Sequence, residues 1–339
     1  MPRATTNPIP HRPDPTGRAA RHGGRPLLAL MPALIPVRTL LSALALALTF
    51  TTLAGAAQAH ELPVGDGHVT DHPEAGNVYA CNATFRGGGA RHAGPWFHGD
   101  TWDPTEKPHV QGTVYWPDAD YSLSDQGASL LFRGNGLPVE EPTGIFPIAF
   151  TDPAYVWDTN PNRIAAQNLR FEIPADPVLA AEPTCLPMGM IGFTVSGVAF
   201  YNALDDAGRD AAAHEIQDTC DGHPQASSQY HYHSASPCIP GVDTDQVVGW
   251  ALDGFPILGL KDADGDDVTN DNLDACHGRA ETVTVDGRTY HYAYHLTREY
   301  PYVLGCFSGE LLPGTLHEVH DGLLPSRRHG PRRGGGRHQ

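Results

Sequence analysis

Two blocks of tyrosine and histidine set among cysteines carry most of the chemistry that this chain can offer. The first holds Asp218, Cys220, Gly222 and His223, then Tyr230, His231, Tyr232 and His233, and closes at Cys238. The second holds Asp274, Cys276, His277 and Gly278, then Tyr290, His291, Tyr292, Ala293, Tyr294 and His295, and closes at Cys306. If 230–233 is a strand, alternation puts both tyrosines on one face and both histidines on the other. Histidines two apart then stand close to 7 Å from one another along the backbone, near enough for both imidazoles to reach one metal ion. Imidazole nitrogen suits zinc or copper, so His231 and His233 are the first candidate ligands, with His223, His214, Asp218 and His295 as possible additions. The alternative is a buried tyrosine and histidine ladder satisfied by hydrogen bonds.

Each block needs elements to hold it. A matching lead-in precedes each one: 197–208 and 254–265 share both glycines and pair Asp205 with Asp262. The chain is therefore expected to contain an internal duplication of a Cys/Tyr-His unit, with half-repeats at 197–238 and 254–306. Proline and glycine recur throughout, which favours short strands and frequent turns. Alternating or β-branched segments at 113–116, 129–132, 169–173, 190–195, 247–252 and 281–285 read as strands. The expected fold is mainly β, or α+β with one helix near 207–220. That helix would be capped by Asp205 or Asp206, carry three alanines at 211–213 and stop at Gly222. On it Asp210, His214 and Asp218 would share a face, with Glu215 adjacent as a weak candidate for acid-base chemistry.

Other clusters also offer ligands or contact surfaces. Asp262, Asp264 and Asp266 around Gly265 invite calcium, although Asp267 and Leu273 break the EF-hand pattern. A mature N-terminus at His60, with His68 and His72 following, would offer copper an amine and imidazoles. Trp96, Trp102 and Trp116 would provide a contact surface if exposed, as in a carbohydrate-binding or adhesive module. The sequence contains no nucleophile elbow, phosphate-binding glycine loop or dinucleotide fingerprint.

Compartment follows from the leader and the cysteines. Residues 40–50 form an apolar run of export-signal length, and Ala57, Gln58 and Ala59 fit a cleavage site, so 1–59 is expected to be removed, with Met31 as the start. The run is too short to span a membrane. All six cysteines follow the cleavage site, in keeping with a secreted or periplasmic, disulfide-bonded protein. Six cysteines allow 15 pairings; the repeat favours Cys220 with Cys238 and Cys276 with Cys306, leaving Cys81 with Cys185. Between residues 60 and 324 there are 11 Lys and Arg against 38 Asp and Glu, a balance of −27. So acidic a surface repels phosphate backbones and excludes nucleic acid as a natural partner, leaving an extracellular glycan or a small molecule. The basic stretch 325–339 reads as a disordered tail.

The chain resembles the YHYH-domain family through AGRDAAAHEIQDTCDGHPQ at 207–225, YHYHSASPC at 230–238, GWALDGFPILG at 249–259 and YPYVLGCFSG at 300–309. The likeness extends upstream to RHAGPW at 91–96 and GIFPIAFTDPAY at 144–155, covering most of the expected domain, 60–324. It implies an exported fold unit with a site at the tyrosine-histidine block and names no reaction. Ala293 and Leu258 depart from the histidine and tyrosine that the resemblance leads one to expect. The function expected from the whole reading is divalent-metal binding through a histidine cluster. A metal-dependent hydrolase or oxidase using the same cluster is the alternative, and a glycan-binding module is the third.

Overall fold

The computed structural model describes residues 61–321 apart from Arg86 and Arg91. The expected leader, 1–59, the expected terminus at His60 and the basic tail, 325–339, lie outside them. The fold is mainly β. A three-stranded antiparallel sheet comprises β1 (Tyr121–Asp125), β2 (Ser129–Gly134) and β3 (Leu169–Pro174). The central sheet has eight strands: β4 (Met190–Thr194), β5 (Ala199–Tyr201), β6 (Gly222–Pro224), β7 (Tyr230–Tyr232), β8 (Val247–Ala251), β9 (Pro256–Leu258), β10 (Gly278–Arg279) and β11 (Ala293–His295). Their spatial order is β6-β7-β5-β4-β8-β9-β11-β10.

The pairings run alike on either side of the centre. In one half β4 and β5 are antiparallel, β5 runs parallel to β7, and β7 is antiparallel to β6. In the other, β8 and β9 are antiparallel, β9 runs parallel to β11, and β11 is antiparallel to β10. The halves meet where β4 pairs with β8.

Most strands of this sheet are buried along their whole length rather than alternately, as expected where both faces are covered; only Val247 and Arg279, at strand ends, are partly exposed. Phenylalanines fasten the small sheet to the large one. The Phe132 ring lies 4.7 Å from Phe171 and 4.6 Å from Phe193, and Phe193 continues to Trp250 at 6.0 Å. Three disulfides, Cys81–Cys185, Cys220–Cys238 and Cys276–Cys306, match the pairing expected from the repeat. No helix among the described residues is long and apolar enough to cross a membrane.

Two local expectations are corrected. The helix expected over 207–220 is one turn only, α1 (Ala211–His214), capped by Asp210, whose side chain accepts from the Ala213 amide. Asp205 instead folds its own turn, accepting from the amides of Ala207 and Arg209. The chain turns extended at Glu215, and Gln217 and Asp218 bridge to Val110, so pairing with a distant segment replaces further helical turns. The segment 113–116 forms no strand, only a single bridge between Val114 and Thr143.

Candidate metal centre

The site is built by strand alternation and register. In β7 Tyr230 and Tyr232 turn one way: Tyr230 Oη donates to Asp218 at 2.9 Å and Tyr232 Oη donates to Glu141 at 2.8 Å. Their histidine neighbours therefore turn the other way. Register places His223 of β6 directly opposite His231, on the same face. His223, His231 and His233 are all buried and bring one nitrogen each to within 4.8 Å of one another.

Hydrogen bonding decides which nitrogens face inward. His231 Nδ1 lies 3.2 Å from the Gln229 carbonyl oxygen and His233 Nδ1 lies 2.6 Å from that of Asn202. A carbonyl can only accept, so each Nδ1 carries the hydrogen and each Nε2 keeps its lone pair. Those two Nε2 atoms stand 3.0 Å apart. Neighbouring ligands on a tetrahedral zinc ion, with bonds of about 2.0–2.1 Å, are separated by roughly 3.3 Å. His223 Nε2 is buried without a hydrogen bond and lies 3.3 Å from Glu215 Oε2.

Burial also holds these rings neutral, which is the form that binds metal. Loss of hydration pushes His223 and His231 well below the ordinary histidine value, and neighbouring imidazoles add to the effect. His233 is pushed down to about 4, again chiefly by burial. Two neutral nitrogens facing each other at this distance repel unless a cation lies between them, so the donor set fits a divalent ion.

Glu215 stands beside the cluster, with Oε2 3.6 Å from His233 Nε2 as well as 3.3 Å from His223. Burial, then the charges of Asp205 and Asp158, push its carboxyl well above the usual range. Gly89 lies against it. A Cβ there would come 2.9 Å from Asp205 Oδ2 and 3.1 Å from Glu215 Oε1, so only glycine lets the chain pass so close. The Tyr201 ring stacks on His231 at 3.9 Å, a contact that sequence reading missed; the Tyr201 and Leu258 difference between the repeats was its only signal. The cleft of about 520 Å³ lined by Trp102, Lys107, His109, Asp221, Ser234 and Arg298 includes none of the three imidazoles.

The remaining candidates fall elsewhere. His214 bonds Asp66 at 2.9 Å and packs on Phe97 at 4.7 Å, tying down the segment around 65–66. Asp218 accepts from the amides of Gly144, Cys220 and Gly222 besides Tyr230, so its oxygens are used to place β6 and β7. His295 lies in the other half and bonds Glu281. Asp262 accepts from the amides of Asp264 and Asp266, making a self-contained turn. His72 bonds its neighbour Asp71, and His68 lies beside Tyr300. Among the described residues, the converging group of three or more metal-capable side chains is the histidine triad. Trp96 and Trp102 are 0% and 4% exposed, which overturns their expected place on a contact surface; Trp116 is partly buried and bonds Thr143.

Fold and site together define a mainly β, disulfide-tied protein with a buried three-histidine cluster able to hold a metal ion. Residues 170–271 match the family model described as YHYH protein, and this segment of the chain is a YHYH-family unit. The match contains Glu215, His223, His231 and His233 and ends before His277 and His295, so it is narrower than the likeness read from the sequence. No curated protein and no solved structure matches the chain.

Proposed function

We propose that this protein binds a divalent metal ion, zinc or copper, through His223, His231 and His233, in an oxidising compartment outside the cytoplasm. The observation that carries the reading is the pair of inward-facing Nε2 atoms 3.0 Å apart, each ring held by a backbone carbonyl at its other nitrogen. Three disulfides favour the compartment. Metal analysis by mass spectrometry should find about one equivalent in the purified protein. His231→Ala and His233→Ala, shown by circular dichroism to be folded, should each lose it. An empty wild-type protein after reloading with zinc and with copper would refute the reading.

Glu215 favours a second reading, a metal-dependent hydrolase. Three protein ligands leave a position free, as in catalytic zinc sites. A divalent ion there would supply Lewis-acid chemistry. Glu215, within 3.3 Å of His223, would take the proton of the attacking water. Hydrolase screens with and without metal should then find an activity that Glu215→Gln lowers by about 100-fold or more while metal content is retained.

A further inference from the structure

Strand register sets the second half of the sheet against the first, residue by residue. Gly222 faces Tyr232 as Gly278 faces Tyr294, and His223 faces His231 as Arg279 faces Ala293. Asp218 accepts from the amides of Cys220 and Gly222 and from Tyr230 Oη; Asp274 accepts from those of Cys276 and Gly278 and from Tyr292 Oη. The frames correspond and the side chains within them differ.

Those differences compensate one another. Ala293 removes the bulk of an imidazole, and the longer Arg279 stands across from it. Arg279 Nε and Nη2 donate to Glu281 Oε2 at 3.2 and 3.1 Å, while His295 Nε2 bonds Glu281 Oε1. The two corresponding histidines also present opposite nitrogens. His233 bonds through Nδ1 and turns Nε2 to the cluster, whereas His295 bonds through Nε2 and leaves a buried Nδ1 without a partner.

We infer that the second half of the sheet is an internally neutralised counterpart of the metal site, in which the Arg279 guanidinium supplies the positive charge that a bound ion supplies in the first half. The inference rests on the metal reading of the triad. The chain then holds one ion, and a chelator loosens only one half, because a guanidinium cannot be extracted.

Hydrogen exchange of the full chain, with zinc and after EDTA, tests this. Removing zinc should lower protection at least about tenfold over 222–233 and leave 278–295 unchanged. Equal loss in both halves, or two equivalents of zinc in the wild type, would overturn the inference. A wild type that binds no metal overturns the metal reading first and this inference with it. Restoring ligands tests the same point independently: Arg279→His with Ala293→His and Glu281→Gln should raise zinc from about one to about two equivalents. A folded variant that stays at one counts against the inference. Should that variant not fold, the exchange comparison on the unmodified chain still decides.

Discussion

At the residue scale, the tyrosines of the block do different work from the histidines. Tyr232 Oη donates to Glu141 Oε2 at 2.8 Å. Burial pushes the Glu141 carboxyl up to about 7, although bonds from Ser196 and Tyr232 pull the other way. Tyr232→Phe removes that donor and leaves a buried carboxyl group worse satisfied, at a cost of about 1–3 kcal/mol. Denaturant unfolding should show the loss while metal content stays unchanged, since the ring faces away from the triad. Which tyrosine and histidine face which way was legible from alternation in 230–233. The carbonyls of Gln229 and Asn202 that orient the imidazoles were not, because a backbone oxygen carries no mark in the sequence.

At the scale of elements, the site depends on a short antiparallel pair, β6 and β7, that has little length of its own. The Cys220–Cys238 disulfide encloses it with a sequence separation of 18. Replacing both cysteines by serine should lower stability by about 3 kcal/mol, the loop-closure value for that span. Thermal unfolding would read the change, and metal affinity should fall with it as β6 frays. The pairing of all three disulfides was readable because the repeat constrained it. The helix is shorter than the sequence suggests: alanines at 211–213 favour a helix, but Gln217 and Asp218 pair with Val110 instead, and propensity yields to tertiary pairing.

For the molecule as a whole, burial of neutral imidazoles couples folding to acid. His233 titrates near 4 in the folded chain against 6.5 for an ordinary histidine. The unfolded chain therefore takes up a proton below 6.5 that the folded one refuses, and stability falls as pH drops toward 4. Asp218 and Asp253, pushed up by burial to about 6 from 3.8, act in the opposite sense, holding protons that the unfolded chain has released. His223 and His231 add to the histidine side and Glu141 and Glu215 to the carboxyl side, so the histidine contribution is read as a difference: between pH 6.5 and 4 the chelator-treated wild type should lose stability relative to His233→Gln by up to about 1.4 kcal/mol per pH unit. Urea unfolding of both proteins at a series of pH values would show it. By itself the sequence determined the mainly β class, the disulfide pairing, the facing of Tyr230 to His233 and the family likeness, because alternation, spacing and composition are local or pairwise properties. Only the tertiary structure decided that His223 joins His231 and His233 while His214, Asp218 and His295 do not. It also brought Glu215 to their side. Convergence depends on cross-strand register and on where distant segments such as those at Val110 and Asp66 dock, and neither is written in the spacing of the ligands.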